Sequence, residues 1–353
     1  MIAAAFAIPG DLGLPTGGYA YDREVLSRFP MDGVSLTHLA LPAGFPAPTG
    51  AQMREALAAL AATAPQTLLF IDGLALGALP ADGLAALGRR IVALIHHPLS
   101  LEAGLSAEER ARLAVSERAA LARCVHVVAT SPATGRTLVH DFGVDPARLT
   151  IAVPGTAPAA RAPADGNPPR LLAVGSLIPR KGYDVLLEAL GRLKVVSWRL
   201  TIIGSLDLHP ATAAQVRTLI ATHGLEERVT LAGARPAEEL ADAFAASDLF
   251  VHASLYEGYG IVLAEAMRQG LPMICTTGGA ANETVPDRAA LKVPPGDVEA
   301  LAGALRICLL SPRERRRLAD MAFAAGQMLP DWDRTAELIA GALNGAAAPE
   351  TLS

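Results

Sequence analysis

Short, unbroken apolar runs alternate with longer amphipathic stretches along almost the whole chain, and few folds accept such an alternation. Residues 2–8, 35–41, 67–71, 90–95, 125–129 and 149–153 read as strands. Helical patterns lie between several of them, at 51–63, 106–122 and 131–142. Continuous Val, Ile and Leu runs without polar alternation mark parallel strands buried on both faces. From Pro154 to Pro169 the sequence becomes proline-rich and loses its apolar period, a linker signal. The alternation then resumes. Strands fit 170–174, 199–203, 229–232, 248–252, 272–276 and 290–293, and helices fit 183–193, 211–222, 236–245, 260–269, 297–309 and 313–325. A last amphipathic helix follows Pro330, with Asp331 as its cap and Trp332 near its start. The pattern predicts an α/β protein of two Rossmann-like, doubly wound domains facing a cleft, over 1–160 and 161–329, with a terminal helix over 330–353. Ligands of such folds sit at the carboxyl ends of strands, so motifs are sought there.

Composition narrows the partners. The chain has 353 residues, enough for two domains, and 51% of them are apolar, which excludes wholesale disorder. A net charge of −5 argues against nucleic-acid binding, which rests on neutralising phosphates. Cys124, Cys275 and Cys308 are far apart and odd in number, so they read as buried reduced thiols, neither a disulfide framework nor a metal set. The opening MIAAAFAIPG lacks a basic flank and reads as a first strand. The most apolar later stretch, Leu68 to Leu87, is broken by Asp72, Pro80 and Asp82, so no spanning helix is expected. A cytoplasmic location follows as an expectation. Residues 1–160 carry eleven Arg, no Lys and thirteen acidic residues, which offers little attraction to anionic lipid.

Four segments follow strands. In VHASLYEGYGIVLAEAMRQGLPMICTTGGAANETV, from Val251 to Val285, a strand ends near His252, a turn carries Glu257 and Gly258, and a helix after Gly260 carries Glu265. Two carboxylates separated by seven residues, one in the turn and one in the helix, suit hydrogen bonds to separate diols. Gly258 and Gly260 let backbone N–H groups approach a phosphate. In LLAVGSLIPRKG, from Leu171 to Gly182, Arg180 and Lys181 precede a helix, where cations oppose the dipole unless an anion binds between them. The chain has only three lysines, so one inside a motif is informative. In PGDLGLPTGGY, from Pro9 to Tyr19, Gly17 and Gly18 open a helix as a phosphate-approaching or an ordinary turn. In IVALIHHPL, from Ile91 to Leu99, His96 and His97 end a strand and point to opposite faces, so one of them faces the cleft. No metal is expected: the histidines have no third ligand at zinc spacing, and Asp331-Trp332-Asp333 reads as a helix cap.

These residues resemble the retaining glycosyltransferases of family 4, which have the GT-B fold. The resemblance rests on Glu257-x7-Glu265 followed by GLPMICTTGGAANE, on VGSLIPRKGYDVLLEAL, and on LAGARPAEELADAFAASDLFVHAS. It is specific over about 170–285 and looser over 1–160. It implies that the C-terminal domain takes a nucleoside-diphosphate sugar and the N-terminal domain a hydroxyl-bearing acceptor, whether small molecule, saccharide or lipid-linked. It also implies that the terminal helix crosses back onto the N-terminal domain. Glu257 would bind hydroxyls of the transferred sugar and Glu265 the ribose. Gly258, Tyr259, Gly260 and Ile261 would surround the distal phosphate, with N–H groups of Gly260 and Ile261 offered to it. Lys181 and Arg180 would stabilise the leaving diphosphate, beside Gly175 and Ser176. The family often has Arg where this chain has Ser176, and Arg180 is the candidate replacement. Gly17 and Gly18 would approach the donor, His96 or else His97 would lie near the sugar, and Gly233 to Arg235 near the base. The expected activity is metal-independent, retaining hexosyl transfer without a cofactor, with closure over the donor at the proline-rich segment. The alternatives are a non-catalytic nucleotide-sugar-binding subunit and a nucleotide-sugar epimerase or hydrolase. A nicotinamide dehydrogenase lacks its G-x-G-x-x-G here.

Overall fold

The apolar runs of the first half become six parallel strands: β1 (Ile2–Pro9), β2 (Val34–Leu41), β3 (Leu68–Asp72), β4 (Ile91–Ile95), β5 (His126–Ala129) and β6 (Leu149–Ile151). Their order in the sheet is β2-β1-β3-β4-β5-β6. The structure is a computed structural model and describes residues 1–102 and 104–348. The end of the expected terminal segment, 349–353, lies outside the described residues. Helices α1 (Gly17–Leu26), α2 (Gly50–Ala61), α3 (Gly73–Leu76), α4 (Ala81–Ala86), α5 (Ala107–Leu121) and α6 (Pro132–Phe142) connect the strands. Every residue of β3 and β4 is buried, as two-sided burial of a parallel sheet requires. Capping boxes at Thr49–Gln52 and Ser106–Glu109 start α2 and α5. The sheet reverses direction of growth between β1 and β3, the kind of position at which open α/β sheets take their ligands.

The second half repeats the plan with β7 (Arg170–Val174), β8 (Arg199–Ile203), β9 (Val229–Gly233), β10 (Leu249–His252), β11 (Met273–Thr276) and β12 (Ala290–Val293). The order is β12-β11-β10-β7-β8-β9, again all parallel, with the reversal between β7 and β10. Helices α7 (Tyr183–Gly191), α8 (Pro210–Thr222), α9 (Ala237–Ala245), α10 (Ile261–Arg268), α11 (Ala281–Thr284), α12 (Val298–Leu310) and α13 (Pro312–Gly326) cover it. Leu186 and Leu190 of α7 and Leu305 of α12 pack with Leu171, Ile202 and Ile274 of the strands in one core.

Packing groups residues 1–14, 18–155 and 330 onward into one unit, and residues 15–17 and 156–329 into the other. The proline-rich segment is more ordered than its composition suggests. Ala162 and Ala164 are buried in the second unit's core, and the Gly166 amide donates to Asp248 at 2.7 Å. The terminal helix α14 (Trp332–Ala347) belongs to the first unit. The Trp332 ring meets Tyr21 edge-on at 5.5 Å, and the Thr335 hydroxyl donates to the Val153 carbonyl at 2.8 Å. Asp331 accepts from the Arg334 amide at 2.9 Å and Asp333 pairs with Arg28 at 2.8 Å, so this D-x-D caps and anchors a helix. No helix among the described residues is long and apolar enough to cross a membrane.

Candidate active site

The second sheet places two loops side by side at its reversal point. After β7 come Gly175, Ser176 and a single 3-10 turn, Pro179–Lys181. After β10 comes the loop to Glu257, and then α10. The loops are stitched together: the Leu255 amide donates to the Arg180 carbonyl, and the Arg180 guanidinium donates to the Tyr256 carbonyl, each at 2.7 Å. The T-T-G-G run behind them seats Glu257. Its amide donates to the Gly278 carbonyl at 3.2 Å, and its carbonyl accepts from the Ala280 amide at 2.8 Å. Gly279, at φ +62°, lies against that carbonyl; a Cβ there would sit 2.3 Å from it. Only glycine fits that close approach in that conformation.

The cluster that results is ionic and centred on a buried carboxylate. Lys181 Nζ lies 2.6 Å from Glu257 Oε1, and Arg180 lies 3.4 Å from Glu257 Oε2. His252 Nε2 lies 2.9 Å from the same Oε1. Burial opposes the charge on Glu257, but Lys181, the His252 hydrogen bond and Arg180 outweigh it and hold the carboxyl well below the usual carboxylate range. His252 is pushed down by burial and by the two cations, against the pull of Glu257. The lysine stem lies over Gly175, where a Cβ would meet Lys181 Cε at 2.9 Å. Tyr183 closes the floor, donating to the Gly175 carbonyl at 2.6 Å. With Glu257 ionised and His252 neutral, the set carries one net positive charge beside the start of α10, which has no side-chain cap. A positive cluster at an uncapped helix start suits an anion.

The remaining sequence-predicted residues of this half lie in the same two loops, in α10, or at and just after the end of β9. Ser176 is buried, and its carbonyl accepts from the Ile178 amide at 2.8 Å. Arg180 reaches Glu257 in that cluster. Gly260, at φ +89°, precedes Ile261, the first residue of α10, and Glu265 is half-buried in the same helix. Gly258 is half-buried, and Tyr259 is buried with its carbonyl accepting from Thr284 at 2.7 Å. Gly233 ends β9 at φ +74°, and Arg235 is exposed and paired with Glu239 at 3.3 Å.

The first unit holds a separate cluster at its own reversal point. His96 follows β4, Asp72 ends β3, and Asp22 lies in α1. The imidazole Nε2 is 3.3 Å from Asp22 and 3.5 Å from Asp72. Burial alone would lower its pKa, but hydrogen bonds to both carboxylates and their charges push it up to about 10, so it is an imidazolium. Burial raises Asp22 to about 6 against the lowering effect of His96. These three groups offer ligand atoms within 4.8 Å of one another, a spacing a cation can use, although the imidazolium already supplies positive charge there. Gly18 lies against the ring, where a Cβ would be 3.5 Å from His96. Gly17 opens α1 and groups with the second unit. The strand ends at Ile95, so both histidines are loop residues, and His97 pairs with Glu102 at 2.8 Å, apart from the carboxylate cluster.

Sequence reasoning passes over three members. His252 has no recognisable motif around it, although it occupies the strand end five residues before Glu257. Asp72 reads as a break in an apolar run, although it too ends a strand. Asp22 has no local signal; only the fold brings α1 to His96.

Comparison with known proteins places this architecture in a class and then in a family. Residues 159–324 match the model of glycosyl transferases group 1, and residues 23–159 match that of glycosyltransferase family 4. The Anabaena protein HepE, solved in complex with UDP and glucose, superposes with a TM-score of 0.78 at 19% identity, over 98% of this chain and all of that one. The MMP alpha-(1->4)-mannosyltransferase of Mycolicibacterium hassiacum is 32% identical over 67% of this chain and 61% of its own length. A D-inositol 3-phosphate glycosyltransferase of Kineococcus radiotolerans is 29% identical over 65% of this chain and 59% of its own length. The matched part of this chain thus spans about three-fifths of those curated relatives. Two doubly wound domains of this order are the GT-B fold. The chain belongs to the family 4-like glycosyltransferases.

Proposed function

We propose that the protein transfers a hexosyl group from a nucleoside-diphosphate sugar to a hydroxyl of an acceptor, with retention at the anomeric carbon and without a metal. The observation that carries this reading is the largely buried Lys181–Arg180–Glu257 cluster at the reversal point of the second sheet, beside the start of α10. The UDP and glucose held by HepE, together with the names of the relatives, an alpha-(1->4)-mannosyltransferase and a D-inositol 3-phosphate glycosyltransferase, support a glycosyl-transfer reading.

As the glycosidic link to phosphate breaks, negative charge grows on the diphosphate. Lys181 and Arg180 are the groups that take up that charge, with the first N–H groups of α10 as neutral donors. Preorganised donors of this kind usually contribute the largest catalytic term. In this assignment Glu257 holds hydroxyls of the transferred sugar, Glu265 the ribose, and Gly233 to Arg235 the base. In the first unit, Asp22 and Asp72 fix the ring of His96. The acceptor is assigned to that unit. Because resident side chains supply the positive charge, the reaction is assigned no metal and no cofactor. We assign the protein to the cytoplasm, which fits its three buried free thiols.

The test is product analysis with donor, acceptor and excess chelator. The reading expects nucleoside diphosphate and a glycoside of the donor's own anomeric configuration by NMR. Inversion of that configuration, loss of activity in chelator, or turnover that never needs an acceptor would each overturn its corresponding part.

A further inference from the structure

His252 has no role in the scheme above, yet its ring is among the most constrained groups near the cluster. It is 3% exposed and lies parallel to Phe250, with centroids 6.2 Å apart and planes 15° apart. Such a ring cannot swing without unpacking its neighbour. Its Nε2 is 2.9 Å from Glu257 Oε1, and a carboxylate oxygen only accepts, so Nε2 carries the hydrogen.

The same Oε1 also accepts from Lys181 Nζ at 2.6 Å. One oxygen therefore has two donors of opposite character. The lysine is a charge on a flexible four-carbon stem. The histidine is a fixed ring. A diphosphate arriving at the cluster competes with Glu257 for the lysine, because the ligand brings more negative charge than one carboxylate. Once Lys181 has moved, Oε1 has an open lone pair, and the imidazole is what keeps that oxygen in place. Arg180 helps little, since it sits 3.4 Å away on the other oxygen.

We propose that His252 is the positioning residue for Glu257: it holds the carboxylate while Lys181 exchanges Glu257 for the donor's diphosphate, and so leaves Oε1 aimed at a hydroxyl of the transferred sugar. The inference rests on the nucleotide-sugar reading above. It separates two contributions to donor affinity. The diphosphate contribution comes through Lys181, and the sugar contribution through Glu257 and hence His252.

Calorimetry on the full chain separates them. The probes are UDP with UDP-glucose and GDP with GDP-mannose, measured on wild type, His252→Phe and His252→Gln, with melting curves for all three. His252→Phe keeps the ring and its stacking but loses the donor; His252→Gln restores a donor near the Nε2 position. We expect His252→Phe to weaken the nucleotide sugar about tenfold or more, to leave the bare nucleoside diphosphate within about twofold, and to be rescued by His252→Gln. A general structural role would weaken both ligands together, and that result overturns the proposal, as does unchanged sugar affinity. If His252→Phe does not fold, His252→Leu, which also lacks the donor, takes its place with the same supporting and overturning outcomes. Absence of binding by the wild type to either pair refutes the nucleotide-sugar reading itself for these donors, an outcome distinct from the others.

Discussion

Lys181→Ala puts two magnitudes in competition, and the structure says which one dominates. The lysine makes a 2.6 Å charged hydrogen bond to a carboxylate that is only 8% exposed. Stranding a buried charge costs about 3–5 kcal/mol when its partner is removed. Glu257 is not stranded, because His252 at 2.9 Å and Arg180 at 3.4 Å remain. The expected loss of stability is therefore nearer the value of one hydrogen bond to a charged group, about 1.5–3 kcal/mol. For a domain of about 150–250 residues, each kcal/mol lowers Tm by about 2–4 °C. The variant should melt several degrees early and stay folded at 25 °C. Removing one preorganised donor to a developing charge costs about 100–1,000-fold in kcat, or about 2.7–4 kcal/mol. The assay is initial-rate release of nucleoside diphosphate at 25 °C, with folding checked by melting. Turnover near the wild-type rate in a folded Lys181→Ala would refute the assignment of this lysine to the leaving diphosphate.

Three further outcomes follow from the same geometry. Gly279→Ala would put a methyl 2.3 Å from the Glu257 carbonyl at a left-handed backbone position, so we expect stability to fall by about 1–3 kcal/mol and donor affinity to fall with it; a silent substitution contradicts the seating role of the T-T-G-G run. Glu265→Ala should weaken nucleotide binding, and unchanged affinity by calorimetry refutes the ribose role. The His96 pKa is raised from 6.5 to about 10, so its contribution to stability is complete below about pH 6.5 and is lost as pH climbs towards 10. Asp22, raised from 3.8 to about 6, penalises the fold increasingly between those two values and is constant above them, so the alkaline window reports on His96. Melting curves from pH 6.5 to 10 should converge for wild type and His96→Gln at the alkaline end; parallel curves would deny the imidazolium.

The central strands were legible because parallel strands buried on both faces need continuous apolar runs. The run at 90–95 became β4, and the run at 170–174 became β7, with at most one residue of difference at either end. The short helices α3 and α4 were missed because four to six residues cannot show a helical period. In the site, Lys181 and Glu257 were visible because each sits in a turn just after a strand. Their mutual contact was not visible, since 76 residues separate them and only the β7–β10 pairing brings the turns together. Asp22 was hidden for the same reason: it lies 74 residues from His96. The proline-rich segment illustrates the limit of composition. Prolines signal the absence of regular structure, while the small alanines between them still fit a core.

Donor binding is the most direct test of the central claim. A thermal-shift panel of nucleotide sugars and their bare nucleosides would read it, because a ligand at 100 times its Kd adds about 2.7 kcal/mol to the state that binds it. The account predicts that one family of nucleotide sugars raises Tm, that its nucleoside diphosphate does so more weakly, and that the nucleoside alone does not. A chain that no nucleotide sugar stabilises, or that responds to nucleosides without regard to the diphosphate, would contradict it.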